Sequence, residues 1–244
     1  MIKNKELKKI IDNFDSKGEI FAAGSRNTIK LFNLEGDIIS VKSFKNPILI
    51  NQIIYKYFRK SKAKRSYENA IKLIELDVNT PTPIAFFEFK SLIGLQKSYY
   101  VCKHIDNCIT FYDVLRMHDY DKRTKLIRDF TRFTNQLHEN GIKFLDHSPG
   151  NTLLVESNDQ IDFYLVDLNR MKFPKNLTFK QRIKNMSRIV TDKDDVSIIS
   201  KEYCKYYFEY SESVFFNELW KKTSSFQKTF YMKIRIKKII LFWR

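Results

Sequence analysis

The chain has 244 residues, 43% hydrophobic and 15% aromatic, and its 44 Lys and Arg outnumber 28 Asp and Glu for a net charge of +16. That length accommodates one large core or two smaller lobes, and the apolar content excludes a chain dominated by disorder. The charge favours acidic partners (nucleic acid, anionic membrane, a phosphorylated substrate) without choosing among them.

Residues 1–10 are basic but lack an apolar core, so they do not form a signal peptide. No stretch approaches 18 uninterrupted apolar residues, so no spanning helix is expected. Cys102, Cys108 and Cys204 lack the paired spacing of zinc or redox sites and read as reduced thiols. These features point to a cytoplasmic protein, soluble or peripherally attached.

The first third reads as β structure. Runs rich in Ile, Phe and Val at 19–23, 28–34 and 37–44 are separated by polar, Gly-containing turns. Helices are predicted over 48–60 and 66–76, the second with Ala70, Leu73, Ile74 and Asp77 on one face. The prolines of Thr80-Pro-Thr-Pro83 stop that helix. Strands at 84–89 and 98–103 complete an antiparallel five-stranded set with one inserted helix.

From about residue 107 the pattern turns helical. Residues 122–140 carry Leu126, Phe130, Phe133, Thr134 and Leu137 at helical spacing, with Gly141 as C-cap. Further helices are expected over 178–190, 197–208 and from 212 onward. The fold class is α+β: an N-terminal lobe over 1–105 with a small five-stranded sheet and one helix, and a mainly helical lobe over 106–244.

Just past that boundary the chain reads Asp146-His-Ser-Pro-Gly-Asn151, then a strand, a hairpin and a strand ending in Val166-Asp167. Asp-x-x-x-x-Asn, two strands and Asp is the layout of a kinase-type phosphotransfer centre. Asp146 is the candidate base, and Asn151 and Asp167 are candidate magnesium ligands. Pro149-Gly150 supplies a tight turn that faces the Asn151 side chain inward. Lys42, near the end of the third strand, is the candidate phosphate-contacting lysine. Glu68, in the first turn of the predicted helix at 66–76, is its candidate partner, with Glu75 as competitor. Gly24 and Ser25 lie where backbone N–H groups would cover phosphates.

At Val41-Lys42, Glu68, Thr80-Pro-Thr-Pro83, Asp146-His-Ser-Pro-Gly-Asn151 and Asp167, the chain resembles the lipopolysaccharide kinase family, the Kdo/heptose sugar kinases of the Gram-negative envelope. The resemblance spans residues 18–172. It implies a bilobal, protein-kinase-like fold, ATP with magnesium, and a lipid A–core sugar hydroxyl as acceptor. Two departures stand out: Phe144-Leu145 replaces the usual His-x before the base, and Leu168-Asn169 replaces Phe-Gly after the metal aspartate. The alternatives are a small-molecule or protein kinase of the same fold and a non-catalytic pseudokinase scaffold at the membrane.

Residues 226–244 interleave Lys228, Lys233, Arg235, Lys237, Lys238 and Arg244 with Phe, Tyr, Ile and Trp. On a helix these are read as a cationic side and an apolar side suited to an anionic bilayer surface. Specific nucleic-acid binding is not expected, since no zinc-finger, RNP-type or helix-turn-helix signature is present.

Overall fold

The computed structural model describes residues 2–24, 27–45, 60–92, 94–157 and 160–242. The chain divides into two compact units, residues 1–107 with 164–170, and residues 108–163 with 171–244. The helix predicted over 48–60 lies outside the described residues apart from Lys60.

The first unit opens with a helix that the strand-directed reading did not anticipate, α1 (Ile2–Asp12). Leu7, Ile11 and Phe14 recur at helical spacing and are buried against Ile39, Val41, Tyr99 and Val101 of the sheet. Buried Lys30 closes the end of this segment, its Nζ donating to the carbonyls of Phe14 (2.7 Å) and Lys17 (3.0 Å).

The sheet contains β1 (Glu19–Ala23), β2 (Asn27–Leu34), β3 (Asp37–Phe44), β4 (Pro83–Lys90) and β5 (Leu95–Lys103). Its order is β1-β2-β3-β5-β4, with every neighbouring pair antiparallel. Strand alternation sends Ile39 and Val41 of β3 into the core and leaves Lys42 on the other face. Between β3 and β4 runs α2 (Lys62–Ile74), which starts four residues before the predicted position. Ser61 caps it by accepting from the Lys64 N–H at 3.0 Å. Ala63, Ser66, Ala70 and Leu73 form its buried stripe.

The second unit begins with β6 (Cys108–Thr110), which pairs with β8 (Thr152–Ser157), and the short α3 (Phe111–Val114). The long α4 (Tyr120–Glu139) is capped by Asp119, whose side chain accepts from the Lys122 N–H. It buries Leu126, Ile127, Phe130, Thr134 and Leu137. Gly141 follows with φ +68°, and a Cβ there would stand 2.2 Å from the Pro174 carbonyl oxygen. Only glycine suits that cap.

Then come β7 (Lys143–Phe144), a 3-10 turn at Pro149–Asn151, β8, and β9 (Gln160–Leu165), whose last two residues enter the first unit. β10 (Met171–Lys172) pairs back on β7. The helices α5 (Phe179–Met186), α6 (Lys193–Tyr203) and α7 (Glu212–Phe242) complete the unit. Their core centres on Phe111, Phe130, Ile183, Val196, Tyr203 and Phe215.

The tail departs from its predicted pattern. Residues 228–236 of α7 are exposed on every side. Lys228 and Arg235 share one side, while Lys233 lies roughly 200° round the helix from Arg235. Charge and apolar surface are therefore interleaved around the rod rather than sorted onto two faces, because the lysines do not follow the helical repeat. Among the described residues no helix is long and apolar enough to cross a membrane.

Candidate active site

In the first unit Lys42 Nζ lies 2.8 Å from Asp167 Oδ1, and the ammonium also sits 5.5 Å from the centre of the Phe44 ring. Asp167 has φ 59°, the left-handed region that costs a non-glycine residue roughly 1–2 kcal/mol. Neighbours hold it there. Before it, Thr80 Oγ1 donates to the Leu165 carbonyl at 2.8 Å, and the Leu165 N–H donates to Asn79 O at 3.0 Å. After it, two α2 side chains one turn apart reach the backbone: Asn69 Nδ2 to Leu168 O at 2.6 Å and Arg65 Nη1 to Asn169 O at 2.8 Å. Asn169 Nδ2 in turn donates to Asp167 Oδ1 at 2.7 Å. Both contacts to the carboxylate fall on Oδ1, so Oδ2 has no protein partner among the described residues.

The expected Lys42–Glu68 pair is not formed. Glu68 instead holds Lys60 Nζ with both carboxylate oxygens at 2.9 Å. The cause is helical phase. With α2 starting at Lys62, Glu68 falls in the second turn, two residues from both Ser66 and Ala70, roughly 200° from the buried stripe. Glu75 pairs with Lys72 at 3.3 Å. Gly24 is exposed, its N–H closing a turn onto Asn27 O at 3.0 Å. Ser25 lies outside the described residues.

In the second unit Asp146 and Asn151 are joined by Asn151 Nδ2 donating to the Asp146 carbonyl at 2.9 Å. That bond fixes the amide orientation and leaves Oδ1 as the remaining acceptor. The loop rests on buried aromatic and polar groups. His147 is 1% exposed, stacks on Phe130, and has Nε2 3.2 Å from Thr134 Oγ1. Burial, and then the neighbouring His138, lower its pKa to about 3, so it is neutral.

Where a histidine was expected, Phe144 is fully buried and its carbonyl accepts from Asn185 Nδ2 at 2.5 Å. With its amide group so oriented, Asn185 Oδ1 must accept from His138 Nε2 at 2.9 Å. His138 Nδ1 then accepts the Tyr203 hydroxyl at 2.8 Å, and Tyr203 accepts from Arg182 Nη1 at 3.0 Å. Arg182 is anchored on Glu139 at 2.6 Å. Tyr203, His138 and Asn185 each accept one bond and donate the next, an unbroken chain of polarised bonds from the Arg182 guanidinium to the backbone before the candidate base. Burial leads the causes that lower the His138 pKa to about 4, keeping the imidazole neutral as this chain requires.

The model of the Lipopolysaccharide kinase (Kdo/WaaP) family matches residues 24–207. The chain belongs to the lipopolysaccharide kinase family. A solved structure titled "WaaP in complex with acyl carrier protein" aligns over 89% of this chain and 92% of its own, at TM-score 0.61 and 15% identity. The Rio2 kinase–ADP/Mg2+–phosphoaspartate complex from Chaetomium thermophilum aligns over 88% of this chain and 64% of its own, at TM-score 0.51 and 15% identity. No curated protein matches the chain in sequence. These likenesses give a protein-kinase-like fold, and the family makes the chain an ATP-dependent phosphotransferase.

In this member of the lipopolysaccharide kinase family, Asp167 Oδ2 of the first unit and Asn151 Oδ1 of the second are each hard oxygen donors. Those atoms suit magnesium, which binds through one or two protein oxygens and completes its shell with phosphate and water. Among the described residues no cluster of three or more His, Cys, Asp or Glu is placed to hold a metal by itself. Asn69, Arg65, Thr80, Asn185 and His138 escaped the motif-based reading. Asn69 and Arg65 carried a usable signal, two polar residues at i and i+4 beside an otherwise buried helix face.

Proposed function

We propose that the chain transfers the γ-phosphoryl of ATP to a hydroxyl of a lipopolysaccharide inner-core sugar, Kdo or heptose. Asp146 serves as the base: its carboxylate takes the proton of the acceptor hydroxyl as the sugar oxygen bonds to phosphorus and the bond to the β–γ bridging oxygen breaks. Asn151 and Asp167 would hold magnesium, which neutralises charge on the phosphates when bound. Lys42 contacts a phosphate, and Asp167 rather than Glu68 orients it.

The observation that carries this reading is the 2.8 Å pair between Lys42 and Asp167, a strand lysine and a turn aspartate from distant parts of the sequence. Labelled ATP with Kdo–lipid A as acceptor tests it. Asp146→Asn should lower transfer about 10²- to 10⁴-fold. Undiminished transfer by that variant removes Asp146 from the mechanism. Transfer to peptides or small alcohols in preference to the sugar favours another kinase specificity, and nucleotide binding without transfer favours a scaffold.

The tail belongs to the same reading. Exposed Phe230, Tyr231, Met232, Ile234 and Ile236, interleaved with Lys228, Lys233 and Arg235, suit peripheral contact with an anionic bilayer that carries a lipid-linked acceptor. Co-sedimentation with phosphatidylglycerol vesicles should fall on truncation after Gln227. Equal pelleting of both forms excludes the tail as anchor.

A further inference from the structure

Three lysines of the second unit come together without a countercharge. Lys143 and Lys172 are directly opposed partners across β7 and β10. The 2.5 Å bond from Asn185 Nδ2 to Phe144 O sets the residue after Lys184 against the residue after Lys143. Several buried-edge cations of this unit are neutralised, among them Arg123 on Asp195, Arg132 and Lys205 on Glu202, and Arg182 on Glu139. Lys143, Lys172 and Lys184 have no ion pair among the described residues. Burial, then Lys184, then Lys172 lower the pKa of Lys143, so the ammonium groups feel one another. Like charges directly opposed across strands destabilise a sheet. A fold that keeps them gains when a ligand supplies the missing anion.

The strip leads to the candidate base. Lys143 lies three residues before Asp146, on the strand that leads into its loop. Arg188, one turn beyond Lys184, places Nη1 3.9 Å from Asp146 Oδ1 with its guanidinium over the Phe226 ring. A base touches the acceptor, so charges beside the base's own loop address the acceptor rather than the nucleotide.

We propose that Lys143, Lys172 and Lys184 form a subsite for an oxyanion, carboxylate or phosphate, borne by the acceptor sugar near the hydroxyl that Asp146 deprotonates. The inference rests on the assignment of Asp146 as base and adds the acceptor's charge as a requirement. Neutral sugars are then poor substrates even with the hydroxyl in place.

The test uses the full chain with four acceptors: a Kdo methyl glycoside, its carboxylate methyl ester, and a heptoside with and without a phosphate. Wild-type kcat/KM should be at least about tenfold higher for a charged acceptor than for its neutral counterpart. Combined Lys143→Gln, Lys172→Gln and Lys184→Gln should raise KM for the charged acceptor roughly 10- to 100-fold, abolish the preference, and leave KM for ATP within about threefold. The matching triple Lys→Arg variant should retain the preference. Should the triple Gln variant fail to fold, exposed Lys172→Gln alone should raise acceptor KM about threefold. An unchanged acceptor KM overturns the proposal, as does a rise in KM for ATP instead, which would hand the strip to nucleotide phosphates. Full transfer by Asp146→Asn defeats the base assignment, whereas loss in that variant with no charge preference in the wild type defeats the subsite alone.

Discussion

The two candidate catalytic segments are held by opposite means. The loop at Asp146 is braced from behind by buried neutral Asn185, His138 and Tyr203, anchored on the Arg182–Glu139 ion pair, among the aromatic side chains of the second unit. The turn at Asp167 is tied by Asn69, Arg65 and Thr80, which reach backbone carbonyls from within the first unit. A buried network makes loop geometry and fold stability inseparable, because every unpaired member leaves a desolvated group. Side chains reaching a turn from one partly exposed helix can be lost with less damage to the core. Disturbing the first segment should therefore cost both stability and rate, and disturbing the second mainly rate.

Predictions that break the comparison begin with the largest. Asp167→Ala should abolish measurable phosphoryl transfer, because it removes the Lys42 partner and a proposed metal oxygen together; transfer within tenfold of wild type would dismiss that role. Asn185→Leu comes next. It orphans the Phe144 carbonyl and the His138 N–H and should cost about 2–4 kcal/mol in urea unfolding, with a fall in kcat. Asn69→Ala, by contrast, should cost about 1 kcal/mol yet slow ATP turnover about tenfold, as a tether lost at an irregular turn. Equal stability losses in those two variants would erase the distinction.

Acid should sharpen it. His138 and His147 have folded pKa values of about 4 and about 3, below the ordinary value near 6.5. The unfolded chain therefore binds protons first as pH falls. Stability should be full above pH 6.5 and decline through the window down to about 4, by up to about 1.4 kcal/mol per unit for each histidine. Thermal melts at pH 7, 6 and 5 measure this, and His138→Gln should flatten the slope. The smallest effect is expected from Glu68→Gln, under about 1 kcal/mol with turnover unchanged, since its partner is surface Lys60. A tenfold loss of turnover there would restore Glu68 to the phosphate site.

Much of this was legible beforehand, and the reasons are physical. Strand positions followed from alternating Ile, Val and Phe between polar turns, because each β residue reports its own face. α1 was hidden by its lysines, although Leu7, Ile11 and Phe14 already stood at helical spacing. The Asp-x-x-x-x-Asn spacing marked the candidate loop because Asp146 and Asn151 stand within one tight turn. The partner of Lys42 was not legible: Asp167 reaches it from a distant part of the sequence, while Glu68 stands roughly 200° round α2 from its buried stripe. The network behind Phe144 joins residues far apart in sequence, and no local pattern marks such contacts.

The backbone at Asp167 also selects the reagent for trapping this enzyme. Asparagine tolerates the left-handed conformation nearly as well as aspartate, whereas a β-branched residue does not. Asp167→Asn should keep the turn and discard only the charge, giving a stalled kinase fit for co-crystallisation with nucleotide and acceptor. Asp167→Val would unsettle the turn itself, and any silence from it would report damage instead of chemistry.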